Sequence, residues 1–231
     1  LDRLVASADV VVHNMRPSAA ESLGIGYARL AALKPGVVYA FAAGYDQSGP
    51  NAGEPAYDDV IQAASGVAAL NANERGEPRY LSTIVCDKVG GLHLAIAVAA
   101  ALARRARTGE GCCVEAPMFE STVSFLMSEQ LGGETFVPAL GPTGYDRLNA
   151  PNRKPFRTRD GYMCILPYNT AHWTAFFELV GRPDEAHSPR VQDPVLRSQS
   201  VNDLYAIIAE VAPSRTTGEW LAALRERDIP C

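Results

Sequence analysis

Asp87 stands just before the most regular apolar pattern of the chain, and Gly90 and Gly91 follow it. Two readings fit a carboxylate there. One is structural: an aspartate at a helix N-cap accepts a hydrogen bond from a free amide of the first turn and contributes about 1 kcal/mol. The other is chemical: the positive end of a helix dipole keeps a carboxylate ionised, and an ionised carboxylate attacks an activated acyl carbon. Gly90 and Gly91 lack Cβ atoms, so a bulky substrate could approach their backbone closely. The two readings are compatible, because a capping aspartate can also react.

Other reactive arrangements are missing from the sequence. It has no G-x-S-x-G elbow, no P-loop and no G-x-G-x-x-G after a strand. Gly24-Ile25-Gly26 follows a helix pattern and reads as a turn. His13, His93, His172 and His187 are scattered, without the i, i+4 spacing of a metal-binding helix, and His93 reads as a helix-face residue. The five cysteines (Cys86, Cys112, Cys113, Cys164 and Cys231) are odd in number and form no C-x-x-C pair. That pattern fits neither a disulfide framework nor a zinc site, and points to reduced thiols in the cytoplasm. No metal site is expected.

The elements that would position these residues follow from apolar spacing. Val10-Val11-Val12 and Val37 to Ala42 are short continuous apolar runs, the mark of buried parallel strands. Pro17 opens a helix, and Tyr27 to Leu33 forms another. Gly44 to Tyr57 is a long loop of the kind that carries function, and Asp58 to Leu70 is helical. Lys88 to Arg107 is the clearest helix, with Asp87 at its N-cap and Val89, Leu92, Ile96, Ala99 and Ala103 along one face that should be buried. Cys113 to Met118 is a strand and Phe119 to Leu131 a helix. Strands alternating with helices predict an α/β domain around a parallel sheet.

The pattern changes after Gly132. Residues 132–155 are rich in Pro and Gly and read as a linker. Beyond them a strand is expected over Tyr162 to Pro167, and helices over Ala171 to Val180, Val201 to Ala212 and Thr217 to Arg227. Thr216 and Glu219 have the spacing of a capping box. The expected organisation is a large Rossmann-like domain over 1–131, a linker over 132–155 and a smaller α+β domain over 156–231. Leu1 to Val5 already reads as helix interior, and Asp228 to Cys231 ends abruptly after a helix. The expectation is therefore an internal fragment, incomplete in both domains.

Composition narrows the function. With 231 residues, 47% of them hydrophobic and 20% charged, the chain is long enough to bury a core without staples. A net charge of -5 argues against a broad nucleic-acid surface. Gly90 to Ala103 is the most apolar run and ends in Arg104-Arg105, too short for a membrane span of about 18 residues.

Ala8-Asp9-Val10-Val11-Val12-His13-Asn14-Met15-Arg16-Pro17, followed by Leu23-Gly24-Ile25-Gly26-Tyr27, resembles the "ADVVVENFRPG…LGLGY" signature of family III CoA-transferases. Gly44 to Pro50 is similar to that family's "GFGQTGP", and Ala56-Tyr57-Asp58 to its "GYD". Asp87 to Gly91 with Arg107-Thr108-Gly109-Glu110-Gly111 resembles the segment that carries the catalytic aspartate and "RTGxGQ". Thr158 to Tyr162 and Asp228 to Cys231 resemble "TxDGY" and "GIPC" in the same order. The resemblance covers almost the whole chain.

It implies a Rossmann-like large domain, a smaller α+β domain and an interlocked homodimer. It implies CoA transfer from an acyl-CoA to a carboxylic acid through an aspartyl anhydride and an aspartyl-CoA thioester, with Asp87 as nucleophile. Asn14 and Met15 would line the CoA site, and Tyr45 would lie near the substrate pocket. CoA and acyl-CoA enter as substrates, with no tightly bound cofactor. Ala43 and Ser22 stand where the formyl-CoA branch has basic residues, and 149–155 replaces its glycine-rich loop. Tyr57 stands where the racemase branch has His, which favours a transferase over an acyl-CoA racemase or epimerase. A third expectation is an inert, merely CoA-binding fragment.

Overall fold

A computed structural model describes residues 1–73 and 75–231. The chain forms two compact units, Leu1–Gln130 and Leu131–Cys231. Residues 132–155 thus count with the second unit.

The first unit is built around a parallel sheet of strand order β1-β2-β3. These strands are β1 (Val10–His13), β2 (Val38–Ala43) and β3 (Cys112–Pro117). Val10 faces Val38 and Val38 faces Cys112 across the ladder. Helices precede and link them, as parallel strands require a crossover: α1 (Asp2–Ser7) leads in, α2 (Pro17–Ser22) and α3 (Tyr27–Leu33) join β1 to β2, and α4 (Asp58–Ala64), α5 (Val67–Leu70) and α6 (Val85–Thr108) join β2 to β3. The helix α7 (Met118–Gln130) follows β3. Central β2 is the most buried strand: Val38, Tyr39, Ala40 and Phe41 are all in the core.

Three expectations change here. The helix over Asp58 to Leu70 is broken, because Gly66 takes a left-handed conformation (φ 92°) between α4 and α5. The long helix α6 starts at Val85 rather than after Asp87, so Asp87 lies in its first turn and Ile84 is its N-cap. The face of α6 that packs is also different. Leu94 and Val98 meet Ala40, Val114 and Ala116 of the sheet, while Leu92 is 66% and Ile96 68% exposed. Val89 is buried as expected. α6 is apolar on more than one face, so spacing alone could not choose the side that meets the sheet. By length and composition, α6 is the one helix among the described residues that could cross a membrane. In this fold it packs on β2, β3 and α7, as a core helix of that composition does.

The second unit holds a short antiparallel pair, β4 (Phe156–Arg157) and β5 (Tyr162–Met163), with Phe156 opposite Met163. The strand expected to reach Pro167 stops at Met163, because β4 offers only two residues to pair with. The helices are α8 (Asp146–Asn149), α9 (Thr170–Leu179), α10 (Pro183–Ala186), α11 (Pro189–Gln192), α12 (Pro194–Gln199), α13 (Val201–Val211) and α14 (Thr217–Arg225). Three of them open on a proline at the first position and were not expected, being too short for any periodicity. Trp173, Phe176, Phe177, Tyr205, Ile208 and Trp220 form the centre of an aromatic-rich core. Thr216 and Glu219 make the expected capping box.

Candidate active site

A cavity of about 650 Å³ opens in the first unit at the carboxyl ends of the three strands. Asn14 and Met15 follow β1, Ala42 and Ala43 end β2, Met118 follows β3, and Asp87 and Gly91 come from the start of α6. Ligands of open parallel sheets bind at this end, where loops leave the strands.

Asn14, Met15 and Asp87 thus share one cavity. Tyr45 is not among its walls. Its ring lies 5.7 Å from that of Phe119 and packs against the cluster of Ile61, Val67 and Cys86. Gln47, two residues on, does line the cavity, and its side-chain amide donates to the Tyr45 carbonyl at 2.8 Å. Glu115 Oε1 accepts from the Gln47 backbone N–H at 3.0 Å, so β3 pins this loop. Tyr57 is 81% exposed on the rim.

The two glycines after Asp87 differ. A Cβ on Gly90 would sit 3.1 Å from Met118 Cγ, whereas one on Gly91 would meet nothing within 4 Å. Gly90 therefore serves packing, and Gly91 opens the cavity beside the carboxylate.

Spacing had not singled out Asp58. Its carboxylate is buried at 6% exposure and holds the N-terminus of α6 from outside. Oδ1 accepts from the backbone amides of Cys86 at 2.7 Å and Asp87 at 3.1 Å. Oδ2 accepts from Gln62 Nε2 at 2.6 Å, and Gln62 Oε1 accepts from the Leu81 amide at 2.8 Å. Asp58 thereby does the capping that Asp87 was expected to do, and the Asp87 side chain is left to the cavity. The only sequence signal was its place in the "AYD" run, which states no partner.

This arrangement reverses the electrostatic expectation for Asp87. Its carboxyl is pushed above the ordinary range, first by burial and then by the Asp58 charge nearby. The free amides that would have favoured its anion are already bonded to Asp58. A more basic carboxylate is the better nucleophile.

His13 positions the β1 corner. Its Nδ1 accepts from the Met15 amide at 3.1 Å, and Nε2 lies 2.5 Å from Tyr39 Oη. Accepting at Nδ1 assigns the ring proton to Nε2. The ring stacks on Phe41 at 5.6 Å, and burial holds its pKa below the usual histidine value. No group of three or more His, Cys, Asp or Glu side chains suited to a metal occurs among the described residues.

The profile of CoA-transferase family III matches residues 1–231. The acetyl-CoA:oxalate CoA-transferase of Acetobacter aceti is 29% identical over 98% of this chain and 59% of its own length. A probable fatty acyl-CoA transferase of Mycobacterium tuberculosis is 30% identical over 98% of this chain and 60% of its own. The crystal structure of the latter superposes with a TM-score of 0.82, covering 99% of this chain and 60% of that one. A CAIB/BAIF family protein from Brucella suis gives a TM-score of 0.77 at 27% identity, over 99% and 61%. The chain spans about three fifths of the length of these curated relatives.

Proposed function

Since the chain belongs to CoA-transferase family III, we propose that it serves the transfer of CoA from an acyl-CoA to a carboxylic acid, with Asp87 as the nucleophile. The observation that carries this reading is the Asp87 carboxylate facing the cavity that Asn14 and Met15 also line. An Asp87 oxygen attacks the thioester carbonyl, the C–S bond breaks, and CoA leaves as thiolate from a mixed anhydride. The thiolate attacks the Asp87 carbonyl and expels the donor acid, leaving an aspartyl-CoA thioester. The acceptor carboxylate attacks that thioester and releases the thiolate again. The thiolate then takes the acceptor acyl group and restores Asp87. Covalent relay divides one difficult transfer into easier steps, and the CoA tail supplies binding energy that positions the carbonyl.

Asn14 and Met15 hold CoA in this reading, Tyr45 braces the substrate loop from behind, and CoA is a substrate rather than a resident cofactor. Residues 1–131 form the CoA-binding domain and 156–231 the small domain, with 132–155 leading into it from within the second compact unit. The working form is a homodimer, which the exposed apolar side chains Leu92 and Ile96 support. The five unpaired cysteines support a reducing cytoplasm. Tyr57 on the rim, a residue without a base of histidine's strength, supports transfer over racemisation.

Hydroxylamine trapping tests the reading. The full-length protein is incubated with a panel of acyl-CoA donors, treated with hydroxylamine, digested and read by mass spectrometry. A donor-dependent hydroxamate on Asp87 is expected. Its absence with every donor, in protein that still binds CoA, would sink the covalent route and leave racemisation or simple binding.

A further inference from the structure

The second unit has its own cavity, of about 240 Å³. Its walls include Arg147, Arg197, Tyr145, Tyr168, Trp173 and Tyr205, and no acidic residue lines it. The two arginines are held in place without a carboxylate. The Arg147 guanidinium lies 5.3 Å from the ring centre of Tyr145 and 5.4 Å from that of Tyr168, and its Nε donates to Tyr145 Oη at 3.3 Å. Arg197 Nη1 donates to Thr170 Oγ1 at 2.8 Å and to the Val191 carbonyl at 2.6 Å, both neutral acceptors. Among the described residues neither arginine forms an ion pair, whereas Arg159, Arg182 and Arg190 of the same unit pair with Glu219, Glu210 and Glu185.

Two fixed guanidinium groups in an acid-free cavity call for an anion. Ring contacts of this kind take up the faces of a guanidinium and leave donors at its edge, the geometry that receives a carboxylate in two parallel hydrogen bonds. Trp173 and Tyr205, each 2% exposed, give the cavity a rigid aromatic floor, with the Tyr205 hydroxyl hydrogen-bonded to Arg147, another neutral partner. At about 240 Å³ the cavity is smaller than the roughly 300–1,000 Å³ of sites for drug-sized ligands, a scale that suits a short organic acid. We infer that this cavity is a binding site for a small carboxylic acid with a short apolar body, its carboxylate on Arg147 and Arg197 and its body on Trp173 and Tyr205. The inference does not rest on the role proposed for Asp87.

Isothermal titration with succinate, phenylacetate and inorganic phosphate tests it, with tryptophan fluorescence as a second readout through Trp173. At least one of the two acids is expected to bind saturably to the wild type and to Asp87→Asn. Binding should weaken about tenfold or more in Arg147→Gln, which loses a charge-assisted contact, and in Arg197→Lys, which keeps the charge but loses the paired donors of the guanidinium. Tyr168→Ala, at a 58% exposed position that cannot unfold the core, should weaken it as well by freeing Arg147. Phosphate should bind more weakly than the acids. No saturable binding of either acid, unchanged binding in folded Arg147→Gln and Tyr168→Ala, or loss of binding in Asp87→Asn would each overturn the assignment. Phosphate binding as tight as the acids would overturn the choice of a carboxylate.

Discussion

Two carboxylates divide the work at the start of α6. Asp58 bonds the first-turn amides, and Asp87 keeps its oxygens for the cavity. The division has a thermodynamic signature. The Asp87 pKa is raised in the fold, so the folded state binds more protons than the unfolded one between the ordinary and the raised value. The fold is therefore penalised as pH rises through that window, and the penalty persists above it. Asp87→Asn removes it: the variant should melt higher than the wild type at neutral pH, and the difference should vanish well below the ordinary aspartate value of about 3.9, where the wild-type Asp87 is protonated folded and unfolded alike. A lower melting temperature at neutral pH would show that Asp87 stabilises the fold after all. Activity and hydroxamate formation should be lost in the same variant.

Asp58→Asn removes the charge and keeps one acceptor, while its new amide group faces the Gln62 Nε2 donor. The Oδ1 acceptor for Cys86 and Asp87 remains, while the negative charge beside Asp87 goes. The acid limb of the kcat/KM profile should then move to lower pH, a shift that a purely structural role would not produce. Asp58→Ala leaves buried amides unpaired and should cost about 1–3 kcal/mol in chemical denaturation.

At the scale of elements, α6 carries both the proposed nucleophile and the opening beside it. Gly91 is an interior helical position whose added Cβ meets nothing. Gly91→Ala should raise stability by up to about 1 kcal/mol through helix propensity and weaken CoA binding by intruding on the cavity. A variant that is more stable and binds CoA as well as the wild type would show that ligand never approaches this backbone. The strands and main helices were legible because each is encoded locally: the valines of β1, Pro17 at the start of α2, the Thr216–Glu219 box of α14. The start of α6 was not legible. It depends on a carboxylate 28 residues earlier in the chain, which no window of local spacing contains.

At the scale of the whole molecule, the outward side chains of α6 are the ground for the proposed homodimer. Leu92 and Ile96 are well exposed on a helix whose opposite side packs on the sheet. Contiguous apolar exposure of this kind marks an interaction surface. If the proposed homodimer uses it, Leu92→Glu with Ile96→Glu should halve the mass measured by light scattering while the circular dichroism spectrum stays helical. A mass unchanged from wild type would place the dimer contact elsewhere.

The sequence by itself determined the α/β class, the main strands and helices, and Asp87 as the carboxylate at the start of α6, while Asn14 and Met15 were legible only through the family resemblance. Apolar period, proline and glycine punctuation and capping chemistry act over a few residues, and a few residues suffice to read them. Tertiary structure alone decided which side of α6 meets the sheet, that Asp58 rather than Asp87 caps it, that Tyr45 packs behind the loop while Gln47 faces the cavity, and that Arg147 and Arg197 share one hollow. Each of these depends on which distant side chain arrives first at a hydrogen-bond donor or an apolar face, and that competition is settled only when the chain has closed on itself.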